Sequence, residues 1–180
     1  MMMTSTPDSA DTRHCVSLED YVMTPTEEPL PGREPTPPVP PGRRRNMQAN
    51  RGRDTQPELA VRSLLHSRGL RFRVCLPLPI DRRRRADISF TKVGLFVFID
   101  GCYWHGCPDH YQAPKTNATF WRDKIGGNRL RDIDTTDRLT AMGYSVLRFW
   151  EHEDPARVAA AIAAAYAGLL ECYETGAQGD

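Results

Sequence analysis

The sequence predicts a mixed α/β sandwich, with helices laid over a small sheet. Three observations predict it. Two runs, Leu95–Ile99 and Val146–Trp150, are mostly apolar and of strand length. Other stretches carry helical spacing with start and stop signals. The order along the chain is helix, three strands, helix, strand, helix, which suits helices over a sheet. At 180 residues the chain can bury one proper core.

The first helix starts at Thr55-Gln56-Pro57-Glu58, with Thr as N-cap, Pro in the first turn and Glu at the capping-box position. Val61, Leu64 and Leu65 share a face to about Ser67, and Gly69 terminates it. Arg71–Cys75 alternates and reads as a strand, broken by Pro77-Leu78-Pro79. Ala86–Phe90 alternates with Ala86, Ile88 and Phe90 inward, and Gly94–Asp100 reads as a buried strand. Residues 117–126 read as helical, anchored by Phe120 and Trp121. Asn128–Met142 follows, with Leu130, Ile133, Leu139 and Met142 on its apolar face and Gly143 as C-cap. Tyr144–Trp150 is a buried strand. An Ala-rich helix opens at Asp154 or Pro155 and reaches about Tyr173.

Residues 1–46 are different. They hold nine of the fifteen prolines and almost no apolar periodicity, so they read as a disordered, partly polyproline tail ahead of a domain over 47–176. Its Pro-x-x-Pro spacings also suit a proline-binding module. The net charge of +1 hides clusters, Arg43-Arg44-Arg45, Arg51, Arg53 and Arg82-Arg83-Arg84-Arg85. The last run is either a loop gripping a phosphate backbone or a solvated turn. Cys75 and Cys172 read as small apolar residues. Cys102 and Cys107 lie beside histidines, which suits metal in a reducing compartment. The amino terminus has no signal-like apolar segment, and no span reads as long enough to cross a bilayer. The expectation is a cytoplasmic, nucleoid-associated protein without membrane contact.

The densest chemistry is Asp100-Gly101-Cys102-Tyr103-Trp104-His105-Gly106-Cys107-Pro108-Asp109-His110, at the end of a buried strand. Strand ends are where a rigid scaffold hands residues to solvent. Cys102, Cys107 and His110 suggest zinc, but three ligands do not close a structural site. His152, just after the later strand, is the candidate fourth; His105 and Asp109 are nearby competitors. A tight hairpin centred on Val93-Gly94 would set Asp87 opposite Asp100, with Cβ atoms about 4.5–5.5 Å apart. Two carboxylates that close need a cation, and Mg²⁺ takes such oxygen ligands. Otherwise one Asp caps a turn or pairs with an arginine of 82–85.

An Asp, a second acid about a dozen residues on, and a preceding helix bearing Glu form the PD-(D/E)xK nuclease pattern. That pattern implies a restriction-endonuclease-like three-layer core with a mixed central sheet. Its usual Lys would fall at Cys102, leaving His105 as the nearest base. The chain further resembles the very-short-patch repair (Vsr) DNA mismatch endonucleases. The matching residues are Asn46-Met47, Arg53-Asp54-Thr55, Glu58, Ala86–Phe90, Gly101–His105, Phe120-Trp121, Lys124-Ile125, Asn128, Arg131-Asp132, Gly143–Leu147 and Trp150-Glu151.

The resemblance implies a nuclease that nicks one strand at a T:G mismatch left by deamination of 5-methylcytosine. It implies Asp87 as the Mg²⁺ ligand, His105 and Glu58 as assistants, and a structural zinc bracing the loop. Tyr103, Trp104 and Trp121 would wedge into the base stack, with Lys124, Asn128 and Arg131 also at the DNA. The chain departs from the family in three places. Position 100 is Asp where familiar members carry His, Cys107 and His110 stand in reversed order, and His152 replaces a Cys. The expected mechanism is Mg²⁺-dependent phosphodiester hydrolysis by a monomer, with Asp87 and Asp100 on the metal and His105 moving a proton. Mismatched duplex DNA is the expected partner, with other mismatch-repair proteins as candidates. The rivals are a restriction-type PD-(D/E)xK nuclease and a non-catalytic zinc-stabilised DNA-binding module. Glu58 equally reads as only a capping residue, and Lys124 and Arg131 as solvated helix charges.

Overall fold

The computed structural model describes residues 53–176. The expectations about the 1–46 tail, Arg43–Arg45, Arg51 and Asn46-Met47 fall outside that range. The order is α1 (Gln56–Ser67), β1 (Leu76–Leu78), β2 (Asp81–Ala86), β3 (Ile88–Phe90), β4 (Leu95–Asp100), α2 (Ala118–Ala141), β5 (Ser145–Trp150) and α3 (Pro155–Gly176). The result is a mixed α/β fold. A three-stranded sheet runs β3-β4-β5, and β1-β2 form a separate hairpin.

Strand β4 is the spine, because both of its faces are apolar. Leu95 and Val97 turn to one side and join Val61 and Leu65 of α1, Ile88 and Phe90 of β3, and Val158, Ala159 and Ile162 of α3. Phe96 and Phe98 turn to the other side, against Leu78, Ala86 and Leu139. Each of the larger side chains, fully buried, contributes roughly 1.5–3 kcal/mol. Strand β5 runs parallel to β4 in register from Leu95↔Ser145 to Asp100↔Trp150. A parallel pair needs a long crossover, which α2 supplies. The two strands therefore end together, and the loop after β4 meets the turn after β5. Ligands gather at such carboxyl ends.

Several expectations need correction. Arg71–Cys75 is not a strand: only Arg73 bridges, to Ser89, and Cys75 turns the chain with φ +50°. The proline-flanked segment expected to break it is β1 instead. Arg82–Arg85 is not a loop but lies in β2. There Arg84 bonds Asp134 at 2.5 Å and Thr135 at 2.7 Å, Arg85 bonds the Cys75 carbonyl, and Arg82 and Arg83 stay exposed. Residues 117–126 and 128–142 are not two helices but one, α2, running through Gly126-Gly127. Of its expected apolar face only Leu139 is buried; Leu130 is 65 % exposed, and Ile133 and Met142 are exposed too. Strand β5 is half-buried along its length.

The β3–β4 hairpin turns over the four residues Thr91–Gly94, pairing Phe90 with Leu95 and Ile88 with Val97. Gly94 takes φ +66° there. The expected two-residue turn would have placed Asp87 opposite Asp100; the longer turn leaves Asp87 two residues short. The faces keep their alternation because the slip is even. Last, α3 over Pro155–Thr175 is, by length and composition, apolar enough to cross a membrane, contrary to expectation. Its run of alanines scores as apolar, while its Val158, Ala159 and Ile162 lie in the core.

Candidate active site and metal centre

Three clusters meet at the carboxyl ends of β4 and β5. In the first, Cys102, Cys107, His110 and His152 each bring one ligand atom within 4.8 Å of all the others. Cys102 Sγ lies 3.1 Å from His152 Nδ1 and 4.0 Å from His110 Nδ1. Cys107 Sγ lies 3.7 Å from each. A tetrahedral zinc with two sulfurs and two nitrogens needs donor separations of roughly 3.3–3.8 Å, so these residues fit the ion. Burial, with the neighbouring Cys107, pushes the Cys102 thiol up to about 12. A divalent cation is what turns such thiols into thiolates. Of the expected competitors, His105 is not in the set, and Asp109 stands 4.0 Å from His152 Nε2, beyond hydrogen-bond distance.

The second cluster surrounds Asp87. Its Oδ2 accepts the Ile99 N–H at 2.8 Å. Burial pushes its carboxyl up to about 6, aided by the charges of Glu58 and Asp100 and opposed by the Ile99 hydrogen bond. Glu58 is 4 % exposed. It accepts Asp54 N–H and Thr55 Oγ1–H, and Thr55 makes no side-chain cap of its own, so the expected capping box does not form: Glu58 reaches the residue before the N-cap instead of the N-cap's own N–H. Glu58 also takes Arg62 at 2.7 Å, and Arg62 reaches on to Asp54 and to the Asp87 carbonyl. One buried arginine thus ties the start of α1 to the acidic strand end.

The third cluster is a ring of charges. Arg148 donates to both oxygens of Asp100, at 2.7 and 2.8 Å, and reaches Asp132 at 2.9 Å. Asp132 holds His105 Nδ1 at 2.5 Å, and Asp100 stands 3.5 Å from the same nitrogen. Burial pulls the His105 imidazole down, but the Asp132 hydrogen bond and the two negative charges outweigh it, so it lies above its usual range. Neither Asp132 nor Arg148 is among the site residues expected from sequence. A lone arginine in an apolar strand signals a buried partner, and Asn128, Asp132 and Thr135 recur at helical spacing as a polar stripe on α2.

The expected wedge residues are together. The rings of Tyr103 and Trp121 lie 5.5 Å apart, and that of Trp104 lies 5.2 Å from Tyr103 and 6.1 Å from Trp121. All three are half-buried, and Phe120 extends the cluster into solvent. Asn128 donates to the Trp104 carbonyl at 2.8 Å and accepts from Arg131, so it braces this loop. Lys124 and Arg131 are exposed. Gly106 allows the loop to lie close on α2: φ is +66°, and a Cβ there would meet Ile125 Cγ2 at 2.9 Å.

Residues 39–111 match the family model described as DNA mismatch endonuclease Vsr. The type II nicking enzyme V.NaeI of Lentzea aerocolonigenes is 43 % identical over 139 residues, 76 % of this chain and 84 % of that one. The type II nicking enzyme V.XorIIP of Xanthomonas oryzae is 42 % identical over 112 residues, covering 62 % and 80 %. The DNA mismatch endonuclease Vsr of Escherichia coli is 38 % identical over 111 residues, covering 61 % and 69 %.

Proposed function

The chain belongs to the Vsr family of DNA endonucleases, and from that premise we propose that it nicks one strand of duplex DNA at T:G mismatches with the aid of Mg²⁺. The observation that carries this reading is the adjacency of two devices. His105, a proton-transfer group, follows Trp104 and Tyr103, whose rings cluster with Trp121. Aromatic side chains that enter a weakened base step would thereby set the neighbouring phosphodiester against the acid and base groups.

The geometry supports the following roles. Asp87, a buried carboxylate with neighbouring acids, suits a divalent cation. Such a cation, when bound, supplies charge for the phosphate and lowers the pKa of its water. Glu58 backs Asp87 while its hydrogen bonds hold it still. His105, gripped at Nδ1 by Asp132, offers its other nitrogen for proton transfer. The Cys102, Cys107, His110 and His152 set holds zinc as a brace. Arg82, Arg83, Lys124, Arg131 and the basic residues of 43–53 contact phosphates without reading sequence. The fold is of the restriction-endonuclease-like PD-(D/E)xK kind, carried by 47–176 with 1–46 as a tail, and the protein works in the cytoplasm at the nucleoid.

The test is incubation of the full chain with Mg²⁺ and end-labelled duplexes, one carrying a single T:G mismatch and one fully paired, in several flanking contexts. A nick on the T strand of the mismatched duplex alone is expected. Equal cleavage of the paired duplex would move the protein to a general nicking or restriction role, as the names of its nicking-enzyme relatives would suit.

A further inference from the structure

We propose that Arg148 is a positioning residue that withdraws Asp100 from metal binding and makes it, with Asp132, the frame that orients His105. This rests on the nuclease reading of the site. It departs from the expectation that Asp100 shares the Mg²⁺ with Asp87.

The geometry carries it. The Arg148 guanidinium sits across the Asp100 carboxylate with one nitrogen to each oxygen, 2.8 and 2.7 Å, in a bidentate fork. A divalent cation on those oxygens would have to displace a guanidinium or sit beside its charge, and both oppose binding. Asp100 is 8 % exposed, so water does not replace the lost partner cheaply. The same guanidinium nitrogen that bonds Asp100 also reaches Asp132 at 2.9 Å. Both carboxylates therefore converge on the Nδ1 side of His105, at 3.5 and 2.5 Å. Among the described residues, no hydrogen bond is made by His105 Nε2. A proton on Nδ1 is thus fixed toward the carboxylates, which leaves Nε2 for the substrate. Arg148 lies over the Phe98 ring at 4.7 Å, which holds the guanidinium plane from beneath. Lys has neither the fork nor the flat face to take its place.

The experiment compares Arg148→Met, Arg148→Lys and Asp100→Asn with the full-length wild type in three measurements. Single-turnover nicking of the T:G duplex should fall about 10- to 100-fold in Arg148→Met, the scale of lost orienting partners, while the Kd for DNA moves less than about threefold. Arg148→Lys should recover little of the rate, since it restores charge without the fork. Binding of Mn²⁺, followed by its paramagnetic resonance, should be as tight in Asp100→Asn as in the wild type. In labelled-histidine NMR the wild type should show a sheltered, downfield Nδ1–H of His105, lost in Arg148→Met. Mn²⁺ binding weakened tenfold or more by Asp100→Asn would overturn the proposal, because Asp100 would then be a ligand. An unchanged rate and an unchanged Nδ1–H signal in Arg148→Met would overturn it too. Failure of the wild type to cut any duplex would count against the nuclease reading alone, since the Nδ1–H signal still reports the frame. Arg148→Lys keeps the charge and serves if the Met variant does not fold.

Discussion

Asp87 is a carboxylate that folding makes harder to ionise. Burial and the nearby Glu58 and Asp100 raise it to about 6, against about 3.9 in an unfolded chain. The group therefore favours the fold most when protonated. Its contribution is fully present below about pH 4 and is lost as pH rises through about 6, amounting to roughly 3 kcal/mol above that. In metal-free protein, Asp87→Asn should then raise the melting temperature at about pH 7.5 and leave it unchanged near pH 4. Mg²⁺ should stabilise the wild type and not the variant, which should also be inactive. Thermal denaturation at the two pH values, with and without Mg²⁺, checks this; a variant less stable than wild type at the higher pH would count against a strained carboxylate. An acid in the alternating strand Ala86–Phe90 was legible from sequence as out of place. What Asp100 touches was not, because its partner Arg148 comes from another strand 48 residues away.

At the scale of elements, helical spacing alone does not say which face is turned inward. Leu130 and Leu139 both fit the apolar stripe expected of α2, yet one is 65 % exposed and the other 0 %. The helix is rotated by its polar stripe: Asn128 holds Trp104, Asp132 holds His105, and Thr135 takes Arg84. These bonds turn 128, 132 and 135 inward and leave Leu130 to water. Leu139→Ala should cost about 2–4 kcal/mol in urea unfolding, and Leu130→Ala less than about 0.5. Equal losses would mean that α2 packs by the other face. The same limit explains the other elements. Leu95–Asp100 was legible because a buried strand is apolar on both sides, and α1 because its start signals are local. The β1–β2 hairpin was not, since prolines and four arginines are poor strand formers and the hairpin is held against α2 by Arg84 on Asp134 and by Arg138 on the Ile80 carbonyl. The expected boundary between two helices falls at Gly126-Gly127, where an added Cβ would meet nothing within 4 Å, so α2 merely bears the cost, about 1 kcal/mol each against alanine.

Across the whole molecule, the two apolar clusters draw on strands and helices and include no residue of the loop 101–117. That loop nonetheless carries Tyr103, Trp104 and His105. Its proposed brace is the four-residue set, with Cys102, Cys107 and His110 from the loop and His152 from the turn beyond β5, beside the hydrogen bonds of Glu151 to the Cys102 N–H at 2.6 Å and of Asn128 to the Trp104 carbonyl. With zinc held there as proposed, a protein built this way should separate folding from function when the zinc is taken. Structural zinc supplies most of the folding energy only where there is no core to do so; here the sheet keeps its own. A strong chelator should therefore abolish cleavage and shift tryptophan emission to the red as Trp104 and Trp121 loosen, while far-ultraviolet dichroism from the helices changes little. Excess Mg²⁺ should not restore cleavage, because a hard cation prefers oxygen to thiolate, and stoichiometric Zn²⁺ should. Loss of the helical signal together with the activity would place the centre in the folding core. Full activity in protein shown by metal analysis to be free of zinc would mean that Gly106, Asn128 and Glu151 hold the loop without it.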